Sequence, residues 1–228
     1  YSFGDLVRDP QKTDVGVRVL SIAYLALVRE EAIPVEISAN WRNVYDFLPW
    51  EDWREGPPSC FAEISDVLEG CSESLTDEKK LLRMQLNFGL HGVPWDGERV
   101  LERYELLWGM GWVQEAQQGR GFGKAMGLDH RRMLATALSR IRGKLRYRPV
   151  IFEMLPEEFT LLRLQKAVEA LAGLPVHKQN FRRLVEQAGL VEGTGHRTGA
   201  RGRPAELFRF RREVLRERPA PGVGLPRI

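Results

Sequence analysis

Cysteine is scarce in this 228-residue sequence, which has only Cys60 and Cys71. The two show no CxxC or other metal-ligand spacing, so neither a disulfide framework nor a zinc site is expected, and two free thiols fit a reducing compartment. Long apolar runs are also lacking, because no stretch reaches the roughly 18 residues of a membrane span. The polar segment Tyr1–Lys12 is not typical of a signal peptide. We therefore expect a cytoplasmic protein that binds no metal ion and contacts no membrane.

A phosphate-binding loop is lacking as well. The glycine-dense segment Gly119–Gly127 (GRGFGKAMG) places Ala125 where the GxxxxGK[ST] motif has a hydroxyl for magnesium. No clear strand precedes the segment. The pattern therefore predicts a flexible connection rather than a nucleotide-binding loop.

Charge is distributed unevenly along the chain. Ile141–Arg218 contains 17 Lys and Arg against 9 Asp and Glu, a net charge of +8, whereas the whole chain carries only +3. A positive surface of this kind neutralises DNA phosphates and releases their counterions. A solvated basic surface is the alternative. Here, however, the arginines fall on one helix face and in one glycine-rich loop, which favours nucleic-acid binding.

The basic region has the spacing of two helices followed by a hairpin. Thr160–Ala172 predicts a helix that begins at a capping threonine and ends before a glycine, and Lys178–Ala188 predicts a second helix with a glycine cap. Two strands, Leu190–Glu192 and Ala205–Phe210, would flank a long loop, Gly193–Pro204. Helix, turn, helix and basic wing together predict a winged helix-turn-helix.

The second of these helices would be the recognition helix. Its polar residues lie toward the N-terminal half, which is the part that enters the major groove. Arg can read guanine, and Asn or Gln can read adenine, through paired hydrogen bonds, while arginines in the wing suit phosphates or the minor groove. We therefore predict the following DNA-binding residues: Lys178, Gln179, Asn180, Arg182, Arg183, Arg197, Arg201 and Arg203.

The first 147 residues have a different pattern. Val17–Val28 is apolar on both faces and predicts a strand buried on both sides. Ser59–Ala116 is richer in helix formers and contains three predicted helices. Asp129–Leu145 has apolar residues at the three- and four-residue spacing of an amphipathic helix. Pro149 follows and marks a predicted boundary near residues 147 and 148, because proline disfavours helix in the residue before it.

Family-specific strings occur in both parts of the chain. They are Leu128-Asp129-His130, Leu155–Leu161 (LPEEFTL), Lys178–Arg183 (KQNFRR), Gly202–Phe210 (GRPAELFRF) and, at the N-terminus, Tyr1–Asp5 (YSFGD). These strings resemble the Nudix-related transcriptional regulators of NAD metabolism in bacteria. The resemblance implies an α+β chain with a partial or degenerate Nudix-like α/β/α sandwich domain at 1–147, carrying a helical insertion near 59–116. A C-terminal winged helix-turn-helix at 148–218 and a flexible tail at 219–228 would follow.

The resemblance also implies a function. In this family the Nudix-fold domain senses an NAD-related nucleotide, and the winged helix binds a palindromic DNA operator as part of a homodimer. It therefore implies a repressor of NAD biosynthesis genes, with NAD, ATP or ADP-ribose as the effector and no required cofactor. Arg18 could contact an effector phosphate and Tyr24 could stack on its base, although a rim charge and a core aromatic are the ordinary interpretations.

The Nudix box, GX5EX7REUXEEXGU with U apolar, does not occur in the sequence. Gly97 is a candidate start, but Arg103 stands six residues later in place of Glu. Without the carboxylates nothing would hold the magnesium ions that hydrolysis needs, so we predict no catalytic residues and no enzyme. Either the box was lost or it preceded Tyr1. A Nudix hydrolase and an RNA-binding or protein-interaction winged helix remain the alternatives, since a fold does not fix a function.

Overall fold

The computed structural model describes residues 2–3, 21–29, 40–74, 78–116, 121–199 and 204–224. The chain divides into two compact units, unit 1 made mainly of Trp41–Arg140 and unit 2 mainly of Ile141–Pro226. Three predicted site residues, Arg18, Arg201 and Arg203, lie outside the described residues. Their roles stay predictions.

The described secondary structure is mainly helical. The α-helices are α1 (Phe61–Ser74), α2 (Glu78–Phe88), α3 (Val100–Gly109), α4 (His130–Tyr147), α5 (Leu161–Ala172), α6 (Lys178–Gln187) and α7 (Val214–Glu217). The strands form two antiparallel pairs, β1 (Ser2–Phe3) with β2 (Ser21–Ile22) and β3 (Val191–Arg197) with β4 (Glu206–Phe210). The 3₁₀ turns are Val44–Asp46, Pro49–Glu51 and Val150–Met154. Among these described helices none is both long and apolar enough to cross a membrane.

The core of unit 1 forms because its helices place apolar side chains at three- and four-residue spacing. Met84 and Phe88 are one turn apart in α2, and Tyr104 and Leu107 follow the same rule in α3. All four are buried in one cluster with Trp50, which is fully buried. The segment predicted to be helical near 59–116 therefore does contain helices, while its status as an insertion stays a prediction.

A buried ion pair joins the segment before α1 to α3. Arg103 and Glu51 are both fully buried, with Arg103 Nε 2.6 Å from Glu51 Oε1 and Nη2 2.9 Å from Oε2. Arg103 Nη1 also donates to the carbonyls of Asn87 and Asp96. The guanidinium lies over the Trp95 ring, 3.9 Å from its centroid. These contacts compensate for the hydration that both charges lose on burial.

The strand predicted for Val17–Val28 is wrong where the structure describes it. Only Ser21–Ile22 are in a strand, and residues 23–29 have no regular secondary structure. Ile22 is 66% exposed and Tyr24 is 92% exposed, so this stretch is not buried on both sides. An apolar strand is buried only where neighbouring strands and helices cover it, and within the described residues β2 pairs with β1 alone. The Nudix-like sandwich is therefore not shown and stays a prediction.

Unit 2 contains the end of α4, followed by α5, α6, the β3–β4 hairpin and α7. Its core brings together Leu145 of α4, Leu164 and Val168 of α5, and Phe181 and Val185 of α6. Because the buried residues of each helix are four apart, α5 and α6 each present one apolar stripe and leave the other side exposed. The helices and hairpin occur in the order that the sequence predicts.

The segment Pro219–Gly224, which we name the C-terminal strap, differs from the flexible tail predicted at 219–228. Val223 is fully buried in the core of unit 2. Gly222 lies so close to the backbone of Arg146 that a β-carbon would overlap it. The Pro- and Gly-rich composition predicts disorder, but Pro221 and Val223 are buried and Gly222 fits closely against α4, so the described part of the segment is packed.

Candidate nucleic-acid interface

The first helix of the helix-turn-helix, α5, begins and ends at the residues that the sequence predicts. Thr160 has an extended backbone, and its Oγ1 accepts a hydrogen bond from the Arg163 N–H at 3.1 Å. This bond satisfies one of the free N–H groups of the first turn. Gly173 ends the helix in the left-handed conformation, with a φ of 70°. The predicted helix and its turn are confirmed.

The second helix, α6, begins at Lys178 after the extended residue His177. Phe181 and Val185 are buried, so this side of the helix faces the core. The predicted DNA-reading residues of α6 are all exposed: Lys178, Gln179, Asn180, Arg182 and Arg183. The helix therefore presents its amides and cations to solvent as a recognition helix requires.

A buried polar network fixes the turn between α5 and α6. Glu169 Oε1 accepts hydrogen bonds from the Val176 N–H and from Gln165 Nε2, each at 3.0 Å. Gln165 Nε2 also donates to the Val176 carbonyl at 2.9 Å. Both residues are 8% exposed, so water competes little for these bonds. Sequence analysis missed this pair, although two polar residues four apart on the buried side of an amphipathic helix are a readable signal.

We expect Glu169 to make the stability of unit 2 fall in acid. Burial raises the pKa of Glu169, but the hydrogen bonds from Gln165 and Val176, with the charge of Lys166, outweigh burial and hold the pKa below its usual range. A lowered carboxyl pKa contributes stability that is present above the unfolded-state value, about 4.3 for Glu. That contribution is lost as the pH falls through the folded-state pKa.

Urea unfolding of the wild type and of Glu169→Gln, repeated from neutral pH into acid, measures this effect. The variant should be less stable at neutral pH, and its stability should change less as the pH falls. Glu153→Gln is the control, because Glu153 is an exposed acid of the same unit. Identical pH profiles for wild type and Glu169→Gln would contradict the assignment.

The wing is formed by the β3–β4 hairpin. Arg197 pairs with Glu206, and the register is irregular between Gly193 and Arg197. The first strand therefore continues through Arg197, and the loop predicted to begin at Gly193 is shorter than expected. A register irregularity lets a strand absorb extra residues, so glycines that suggest a loop in the sequence can still lie in a strand. Arg197 belongs to a strand rather than to a loop.

Two contacts attach the wing to the start of α5. Phe159 and Phe208 form an antiparallel bridge, with N···O distances of 2.9 and 2.8 Å. Farther along the hairpin, His196 Nδ1 lies 3.0 Å from Glu158 Oε1. Arg197 follows directly and is exposed. The wing therefore carries the exposed Arg197 on a hairpin that is attached to the residues just before α5.

The helix-turn-helix and its wing agree with one known domain. Residues 151–210 match the NrtR DNA-binding winged helix domain. The match includes α5, α6, β3 and β4, so it confirms the predicted winged helix-turn-helix. It also confirms, for this NrtR-type domain, the resemblance to the Nudix-related regulators of NAD metabolism.

Relatives of the NrtR-type domain cover only part of the chain. The chain is 36% identical over 85 residues to the ADPR responsive transcriptional repressor NtrR of Acinetobacter baylyi, a match of 37% of this chain and 34% of that protein. This chain is also similar to two crystal structures of Shewanella oneidensis NrtR, with 38% identity to the one complexed with a 27mer DNA and 37% identity to the other. Each match covers 40% of this chain and 41% of that chain with a TM-score of 0.35. The chain therefore spans about a third of the length of this curated relative and about two fifths of the solved chains.

Of the two predicted effector residues, only Tyr24 lies in the described part of the chain. Tyr24 is exposed in an irregular segment, and Arg18 lies outside the described part of the chain. In that same part, no group of three or more His, Cys, Asp or Glu residues could hold a metal ion. Cys60 is a free thiol, and burial raises the pKa of Cys60 to about 11, so it stays protonated at neutral pH and is a poor nucleophile.

Proposed function

We propose that the chain is a DNA-binding transcriptional repressor of NAD biosynthesis genes. It would bind a palindromic operator as a homodimer and respond to an NAD-related adenine nucleotide. The observation that carries the proposal is the exposed, cation-bearing side of α6 within a segment that matches a DNA-binding winged helix domain. DNA binding is the best supported part, because the match covers residues 151–210 only.

DNA binding follows from the charge and shape of unit 2. The N-terminal half of α6 would lie in the major groove, where Arg182 and Arg183 can each donate paired hydrogen bonds to a guanine. Lys178 would neutralise a phosphate, and Arg197 would contact the backbone or the minor groove beside the recognition helix. Two copies related by a twofold axis would place two such helices on the two halves of a palindrome.

ADP-ribose is the effector that the comparisons favour over NAD and ATP. The similar protein of Acinetobacter baylyi is described as ADPR responsive. Arg18 and Tyr24 remain the candidate contacts in this chain. The exposure of Tyr24 leaves its ring accessible for stacking on an adenine.

Selection of fragmented genomic DNA by the chain, with and without each nucleotide, tests the proposal. We expect discrete palindromic sites upstream of NAD biosynthesis genes, and a recovery that ADP-ribose alters. Recovery that depends on salt but not on sequence would contradict the proposed operator and would indicate only non-specific nucleic-acid binding.

We expect Arg183→Ala to weaken operator binding by roughly 1–3 kcal/mol, as for loss of a bidentate contact to guanine. Arg201→Ala should instead weaken binding to all duplexes alike, because a phosphate contact carries no sequence information. Fluorescence anisotropy with the selected operator and a scrambled duplex separates the two effects. Arg216→Ala, which changes an exposed arginine of α7, is the control. Unchanged operator affinity of Arg183→Ala and Arg182→Ala would exclude α6 as the recognition helix.

The proposal includes no enzymatic activity. The Nudix box is absent from the sequence, and the similar curated protein is named a repressor. Release of AMP from ADP-ribose by the chain with magnesium would contradict this part and favour the hydrolase alternative. Preference for RNA over duplex DNA at matched salt would favour the RNA-binding alternative.

A further inference from the structure

A carboxylate lies among the cations on the exposed side of α6. Glu186 stands one turn after Arg182, and its Oε1 accepts a hydrogen bond from Arg182 Nε at 2.8 Å. The two side chains are 47% and 59% exposed, respectively. An exposed ion pair of this kind adds little to stability. Stability therefore does not account for an acid on a surface that must approach phosphates.

The hydrogen bond to Glu186 determines which edge of the Arg182 guanidinium is available to DNA. Nε is engaged by Glu186, whereas Nη1 and Nη2 make no hydrogen bond within the described residues. Two parallel N–H groups match the O6 and N7 acceptors of guanine. Because the ion pair already restricts the side chain, less conformational freedom is lost when those groups bind a base.

The same carboxylate opposes binding to unrelated DNA. Non-specific affinity comes almost entirely from cations that neutralise phosphates. A negative charge beside Arg182 cancels part of that attraction wherever the arginine has no guanine to bind. Specificity is a difference between two affinities, so lowering the affinity for wrong sequences raises it.

We propose that Glu186 is a positioning residue that orients Arg182 toward one guanine of the operator and lowers affinity for other sequences. The inference rests on the proposed function, because it requires α6 to lie in the major groove. Two substitutions separate its two effects. Glu186→Ala removes both the hydrogen bond and the charge, while Glu186→Asp keeps the charge but draws the carboxylate away from Arg182.

The test measures the affinity of the 228-residue chain for the selected operator, for operators with each G·C pair replaced in turn, and for random duplex. The G·C pair that Arg182 contacts is the one whose replacement no longer lowers affinity in Arg182→Ala. The wild type should bind the operator with this pair intact roughly 5- to 150-fold more tightly than the operator with it replaced. In Glu186→Ala we expect this ratio to fall by about tenfold, which is within the range of one bidentate contact. We also expect the affinity of Glu186→Ala for random duplex to rise. Glu186→Asp should restore the low affinity for random duplex without restoring the discrimination. In the Arg182→Ala background, Glu186→Ala should not change discrimination.

Glu192→Ala is the matched control. Glu192 accepts a hydrogen bond from Arg209 at 2.6 Å on the hairpin, and these side chains are 39% and 60% exposed, close to the values on α6. It should leave both affinities unchanged, and thermal melts should show every variant folded. Suppose that the wild type discriminates at the Arg182 base pair, and that Glu186→Ala and Glu192→Ala give the same two affinities. The role of Glu186 is then overturned, while the proposed function stands. If the wild type selects no sequence at all, both are overturned.

Discussion

Arg103→Ala is expected to lower the free energy of unfolding by about 3–5 kcal/mol, because it leaves the buried Glu51 carboxylate without its arginine. Both side chains are inaccessible to solvent, so water cannot replace the lost contacts. The substitution also leaves the carbonyls of Asn87 and Asp96 without the guanidinium donor. Chemical denaturation followed by tryptophan fluorescence measures the effect, since Trp95 lies against the guanidinium.

Arg132→Ala is the control for this experiment. Arg132 Nη2 lies 2.7 Å from Glu105 Oε1, a similar separation, but both side chains are partly exposed. Removal of an exposed pair should change stability by at most about 1 kcal/mol. Equal losses in Arg103→Ala and Arg132→Ala would show that burial of the first pair has no energetic consequence.

Gly222→Ala is expected to displace the C-terminal strap from unit 2. The added β-carbon would overlap the backbone of Arg146, so the strap must move and Val223 must leave the core. The expected loss is about 1.5–3 kcal/mol, the contribution of one fully buried apolar side chain. Thermal or urea unfolding of unit 2 measures the loss, and limited proteolysis of the strap reports its displacement.

Gly224→Ala provides a matched glycine two residues away. A β-carbon at Gly224 would meet no atom within 4 Å, so we expect a change within about 0.5 kcal/mol. If both variants unfold at the same denaturant concentration as the wild type, the strap does not contribute to the core of unit 2.

The winged helix could be predicted from the sequence because its signals are local. Thr160 caps α5 and Gly173 ends it through bonds to residues within one turn. Phe181 and Val185 are one turn apart on α6, so their spacing alone indicates the buried side. Exposure of Arg183 and its neighbours follows from that spacing.

The remaining features depend on residues far apart in the chain. Burial of Val17–Val28 requires covering strands and helices, which a single apolar run cannot reveal. The Glu169 network forms only when the turn brings Val176 back to α5. Val223 lies in the core of unit 2 on a strap whose Gly222 packs against Arg146 of α4. Composition and periodicity carry no information about such contacts.

The core of unit 2 extends beyond the residues that match the DNA-binding winged helix domain. Leu145, Val214 and Val223 are buried in that core, yet all three lie outside the matched segment 151–210. A fragment cut at those limits would lose three apolar side chains, each worth about 1.5–3 kcal/mol when fully buried, which is a large share of the stability of a small domain. Weak DNA binding by that fragment would then report incomplete folding rather than missing contacts. We therefore expect the smallest segment that folds on its own to be longer than residues 151–210.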